Sequence, residues 1–124
     1  MGKRVLVVED QADDSFLMTH ILEMMLGLEF SLAKDGPEAL TRAREFTYDL
    51  VVLDLNLPNI QGWDLVEALR QMEKYHSVPI IAVTGYDRAS IRQRTLEAGC
   101  NIYLTKPLNI DCLVEAITQC LSAT

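Results

Sequence analysis

Three carboxylates, a hydroxyl and an ammonium stand at the ends of short apolar runs in this chain. Val5 to Val8 leads into Glu9 and Asp10, and Leu50 to Leu53 leads into Asp54. Pro79 to Val83 leads into Thr84, and Ile102 to Leu104 is followed one residue later by Lys106-Pro107. Each polar group alone is an ordinary loop cap or a solvated side chain. Together they fit one site, because continuous Val/Ile/Leu runs read as strands buried on both faces of a parallel sheet. In open parallel sheets ligands sit outside the carboxyl ends of the strands. Oxygen-only donors select a hard cation, and one or two carboxylates with waters and phosphate suit Mg²⁺. Clustered carboxylates are electrostatically costly unless a cation joins them. Asp10 and Asp54 are therefore candidate direct ligands, with Glu9 direct or through water. Lys106 is a point charge for carboxylate or phosphate, aimed by the restricted backbone that precedes a proline. Thr84 can donate its hydroxyl to a phosphoryl oxygen.

The elements that position these groups alternate from end to end. Strands are expected at about 4–8, 30–33, 50–53, 80–83 and 102–104. Helices are expected between them and after the last. The first covers about 13–26, capped by Asp13 or Asp14, with Phe16, Leu17, Ile21, Met24 and Met25 as its apolar positions. Asp35-Gly36-Pro37-Glu38 opens the second as a capping box with Pro in the first turn. The third follows Asn59 to Gly62 and buries Leu65, Val66 and Leu69. Asp87 caps the fourth, which stops near Gly99. Asn109 starts the last, whose stripe is Ile110, Leu113, Val114, Ile117, Cys120 and Leu121. Such βα units imply right-handed crossovers and a doubly wound α/β parallel sheet with helices on both faces.

Composition narrows the function classes. The 124 residues make one domain, 1–124, with room for one core. A net charge of −7 argues against a nucleic-acid surface. No stretch approaches the ~20 apolar residues of a membrane span, and no signal-peptide pattern is present, so a cytoplasmic location is expected. Cys100, Cys112 and Cys120 form no C-x-x-C and read as small buried thiols. His20 and His76 stand apart from each other and from the cysteines, so zinc has no support. The chain ends after its fifth helix, so no output domain is expected.

These segments resemble the receiver domain of two-component response regulators, of the stand-alone, chemotaxis-regulator-like type. The matching pieces are V-L-V-V-E-D at 5–10, D-G-P-E-A-L at 35–40, Y-D-L-V-V-L-D-L-N-L-P at 48–58, P-I-I-A-V-T-G at 79–85 and A-G-C-N-I-Y-L-T-K-P at 98–107. The resemblance implies a flavodoxin-like five-stranded sheet of order 2-1-3-4-5. It implies that Asp54 accepts a phosphoryl group from a sensor histidine kinase or phosphotransfer protein. Mg²⁺ would be held by Glu9, Asp10, Asp54 and the backbone carbonyl of Asn56, with Thr84 and Lys106 gripping the phosphoryl oxygens. Tyr103 would be the switch aromatic, turning inward when Thr84 moves toward phosphate and signalling to a downstream protein target. Output would run through the fourth helix, fifth strand and fifth helix. The protein would be a switch that assists its own phosphorylation and dephosphorylation, a monomer or phosphorylation-dependent dimer, with no nucleic-acid or membrane partner. A cis Lys106-Pro107 bond is expected, to turn Lys106 back into the site. The glycine common after the proline of the post-Asp54 loop is absent at Asn59; Gly62 is its candidate replacement. Tyr86 and Asn56, each two residues beyond a strand-end group, are expected to flank the phosphoryl group, Tyr86 as a shield against hydrolysis.

Two other classes fit less well. A phosphatase with Asp54 as nucleophile usually carries a second Asp two residues on as general acid; here that residue is Asn56. A flavin or nucleotide carrier on the same fold needs a Gly-rich phosphate loop after the first strand. Glu9-Asp10 would repel phosphate there.

Overall fold

The computed structural model describes residues 3–57, 60–85 and 88–122. Five strands, β1 (Arg4–Val8), β2 (Glu29–Ala33), β3 (Leu50–Asp54), β4 (Ile80–Thr84) and β5 (Ile102–Thr105), form one parallel sheet of order β2-β1-β3-β4-β5. The helices between and after them are α1 (Ala12–His20), α2 (Gly36–Glu45), α3 (Gly62–Gln71), α4 (Ala89–Ala98) and α5 (Ile110–Ser122). Alternate strand residues feed the two faces, as the period-2 pleat dictates. Val5, Val7, Leu50, Val52, Ile81 and Val83 pack under α1 and α5. Leu6, Val8, Val51, Leu53, Ile80 and Ala82 pack under α2 and α3. The doubly wound fold and the strand order are as the sequence predicts.

Local chemistry fixes the helix ends. Asp35 Oδ1 accepts the Glu38 amide at 2.8 Å, and Glu38 Oε1 accepts the Lys34 amide at 2.7 Å. This reciprocal pair is the predicted capping box, closed one residue further out. Asn109 Oδ1 accepts the Cys112 amide at 3.0 Å at the start of α5. Gly99 closes α4 with φ +120°, a conformation that L side chains rarely adopt. The residue before α4 is Arg88; Asp87, the predicted cap, lies outside the described residues.

Helix α1 departs from the prediction. It starts at Ala12 after Gln11 with no side-chain cap, so Asp13 and Asp14 lie in its first turn, where negative charge suits the helix dipole. It continues as a π-helical turn, Ile21–Met25, in which the Leu26 amide reaches the Ile21 carbonyl at 3.2 Å. Met24 and Met25 lie within that wider turn. The buried residues are Met18, Ile21 and Leu22; Phe16, Met24 and Met25 are 73%, 67% and 55% exposed. The segment is apolar on several faces, so its period did not single out the buried one. In α5, Ile110 is exposed and Ala116 joins the buried stripe; Cys112 is exposed, unlike Cys100 and Cys120.

One cation absent from the sequence reading braces the sheet edge opposite the strand ends. Arg70, at the end of α3, donates to the carbonyls of Gly99, Tyr75 and Val78 and to Asn101 Oδ1. Asn101 Oδ1 also accepts the Ile80 amide at 2.8 Å. Arg70 thus satisfies the carbonyls that end α4 and the turn entering β4. Arg70→Met removes five donated bonds and keeps the stem, so chemical denaturation should show a loss of about 3 kcal/mol. An unchanged midpoint would show that water replaces the guanidinium at little cost.

Candidate functional site

Strand register alone carries the predicted groups to one edge. Val8 pairs with Leu53, Asp54 with Val83, and Thr84 with Thr105. Glu9 therefore lies level with Asp54, Thr84 one step beyond Asp54, and Lys106 one step beyond Thr84. Backbone hydrogen bonds hold these ends: Glu9 amide to Ala33 carbonyl at 2.9 Å, Leu55 amide to Val83 carbonyl at 2.8 Å, and Lys106 amide to Thr84 carbonyl at 2.7 Å. The Lys106-Pro107 bond is cis, as predicted.

Carboxylate oxygens of Glu9, Asp10 and Asp54 lie within 4.8 Å of one another. Glu9 and Asp54 are buried, 6% and 3% exposed, while Asp10 faces solvent. Lys106 Nζ sits against Asp54 Oδ2 at 2.9 Å and Glu9 Oε1 at 3.3 Å. A third contact is the shortest: Asp14 Oδ2 at 2.7 Å. In sequence Asp14 is a candidate helix cap; the structure places it in the first turn of α1 against Lys106 instead. The available signal was an acid in the first turn of a helix that must begin beside the acidic edge.

Burial raises Glu9 to about 7, helped by the hydrogen bond and charge of Asp54; the Gln11 amide and Lys106 pull it back down. For Lys106, burial favours the neutral form, but the hydrogen bonds to Asp14 and Asp54 and the charges of Asp54 and Glu9 outweigh it. The net direction is upward, so the ammonium stays charged throughout the working range. An oxygen-only cluster around one ammonium is the donor set of a hard divalent cation beside an anion-gripping charge.

The loop after β3 folds back on Asp54 and Leu55. The Asn56 amide donates to Asp54 Oδ1 at 2.8 Å, and Asn56 bridges Gln61 across the loop. The Gly62 amide reaches the Leu55 carbonyl at 3.2 Å. A Cβ at Gly62 would come within 2.5 Å of Leu55 Cα, so this close approach requires glycine. Pro58, Asn59, Tyr86 and Asp87 lie outside the described residues, and with them the expected position of Tyr86 as a shield. Thr84 is buried at the end of β4. Tyr103 is 9% exposed, with the Arg92 guanidinium 5.4 Å above its ring centroid. Trp63 opens α3 beside this loop, under Arg94 at 5.0 Å.

The Glu9 shift gives stability a defined pH dependence in metal-free protein. The folded state holds the proton to about 7, whereas a free carboxylate releases it near 4.3. Stability from this group is full below the unfolded value and is lost as pH rises toward 7. In EDTA, unfolding free energy should fall by on the order of 2 kcal/mol from pH 5 to 7.5. Glu9→Gln should flatten that slope; an equal slope in the variant would place the proton elsewhere.

Residues 5–118 match the response regulator receiver domain family. The polar-differentiation response regulator DivK of Brucella ovis is 32% identical over 121 residues, covering 98% of each chain. The receiver domain of the sensor histidine kinase PA1611 of Pseudomonas aeruginosa PAO1, solved with magnesium in its active site cleft, is 30% identical. The match covers 99% of this chain and all of that one, with a TM-score of 0.90. A chain of the Saccharomyces cerevisiae co-crystal of the phosphotransfer protein Ypd1 and the Ssk1 receiver domain is 30% identical. That match covers 96% of this chain and 88% of that one, with a TM-score of 0.85. No described helix is long and apolar enough to cross a membrane. With its strand order, its acidic strand-end cluster and these relatives, the chain belongs to the receiver domains of two-component response regulators.

Proposed function

We propose that this chain is a cytoplasmic phosphoacceptor switch in which Asp54 takes a phosphoryl group from a phosphohistidine on a sensor kinase or phosphotransfer protein. The observation that carries this reading is Lys106 Nζ 2.9 Å from Asp54 Oδ2 beside the Glu9–Asp10–Asp54 cluster. Glu9, Asp10, Asp54 and the Asn56 carbonyl are the groups to hold Mg²⁺, which when bound supplies positive charge to the oxygens of the transferring group. The magnesium in the PA1611 receiver cleft supports that choice, and the Ypd1–Ssk1 complex supports the class of donor. Asp54 acts as the acceptor, Lys106 steadies the phosphoryl charge and Thr84 donates its hydroxyl to it.

Phosphorylation then biases a two-state region rather than building a new fold. Thr84 moving toward the phosphoryl group leaves room beneath Tyr103, and Arg92 stacked on that ring carries the change into α4. Output to a downstream protein, or to a second copy of the chain, runs through α4, β5 and α5.

Acetyl phosphate with Mg²⁺ should label the protein once, seen by intact mass. Asp54→Asn should stay unlabelled, and EDTA should abolish labelling. A labelled Asp54→Asn variant would move the site elsewhere.

The exposed apolar face of α1 supplies a surface for the phosphohistidine donor. Phe16 stacks on His20 with ring centroids 6.1 Å apart, Met24 follows on the same side, and the first turn of α1 reaches the site through Asp14. Phe16→Asp should slow transfer from a purified phosphohistidine donor that labels the wild type by about tenfold or more, the worth of one buried aromatic anchor. Labelling by acetyl phosphate should be unchanged. Equal loss with both donors would mean that the substitution damages the site itself.

A further inference from the structure

Lys106 has three N–H donors, and three carboxylates take them: Asp14 at 2.7 Å, Asp54 at 2.9 Å and Glu9 at 3.3 Å. Glu9 and Asp54 belong to the metal-binding cluster, so a bound cation offsets their charge. Asp14 does not belong to it, and its ion pair among the described residues is with Lys106 alone. It holds Lys106 from the α1 side, 37% exposed, across the strand ends from Asp54.

We propose that Asp14 is a positioning residue that competes with the phosphoryl group for Lys106 and so limits how far Asp54 becomes phosphorylated. The inference rests on the phosphoacceptor reading above. In transfer from acetyl phosphate, a carboxylate oxygen of Asp54 forms the new P–O bond. The P–O bond to acetate breaks, and acetate leaves with its electron pair. Asp54 exchanges one negative charge for a phosphoryl group that carries about two. The ammonium must then turn an N–H toward the phosphoryl oxygens. The shortest of its present bonds, to Asp14, opposes that turn. The charge of Asp14 also repels the incoming group from the same side. Both effects act in one direction. Asp13, the neighbouring acid of the same helical turn, is exposed and has no ion pair with Lys106. It therefore shares the helix-dipole role of Asp14 without its contact.

The test is the steady-state ratio of phosphorylated to unphosphorylated protein at subsaturating acetyl phosphate and saturating Mg²⁺, read by intact mass. Asp14→Asn should raise the ratio about threefold, the worth of one partly exposed ion pair. Asp14→Glu, which keeps the charge, should behave as the wild type, and Asp13→Asn should also leave the ratio unchanged. A general loosening of α1 would instead move Asp13→Asn and Asp14→Glu as well. The proposal is overturned if Asp14→Asn matches or falls below the wild type, or if Asp13→Asn rises equally. A wild type that takes no label at Asp54 fails the phosphoacceptor reading, and the role of Asp14 with it; a labelled wild type with an unresponsive Asp14→Asn fails this inference alone.

Discussion

The repulsion among the carboxylates at one sheet edge is the constraint around which the rest of the molecule is arranged. Glu9 and Asp54 are both buried and both acidic, with Asp10 beside them. Burial and the neighbouring Asp54 push Glu9 toward holding a proton. Lys106 opposes it by reaching across the strand ends into the cluster. A buried charge group of this kind adds little net stability. It persists because the surrounding sheet over-determines it, and it keeps the site poised for a divalent cation and a phosphoryl group.

The sheet meets that cost through rigidity. Strands β1, β3 and β4, which lead to Glu9, Asp54 and Thr84, are buried, with alternating residues locked under helices on both faces. The backbone bonds that end each strand are short and connect neighbouring strands, so Glu9, Asp54, Thr84 and Lys106 keep their spacing. The end of α4 is pinned by Arg70 through the Gly99 carbonyl. Along α4, Arg92 and Arg94 make cation–π contacts with Tyr103 and Trp63. Such contacts are worth roughly 0.5–2 kcal/mol each, weak enough for a phosphoryl charge to rearrange. A rigid anchor at one end and soft contacts along the other side suit a helix that reports on the site.

Much of this was legible in the sequence. Apolar runs of three to five residues leading to Glu9, Asp54, Thr84 and, one residue later, Lys106 read as parallel strands, and parallel strands place their carboxyl ends on one side. The capping residues Asp35 and Asn109 and the terminating Gly99 act locally, so their neighbours in sequence suffice to identify them. The fold class, the edge and the acidic cluster follow from information carried within a few residues of each position.

What depends on contacts between distant segments was decided only by the tertiary structure. The exposure of Phe16, Met24 and Met25, and the π-helical turn at Ile21–Met25, are announced by no local pattern in a segment apolar on several sides. Arg70 reads as a solvent-facing helix residue until α4 and the turn before β4 bring their carbonyls to it. Asp14 reads as a cap until β5 delivers Lys106 from 92 positions away in the chain. Residue types and periodicity determine which face of an element is buried and which end is charged. Which charge meets which is set by the packing of whole elements, and that information is spread over the chain.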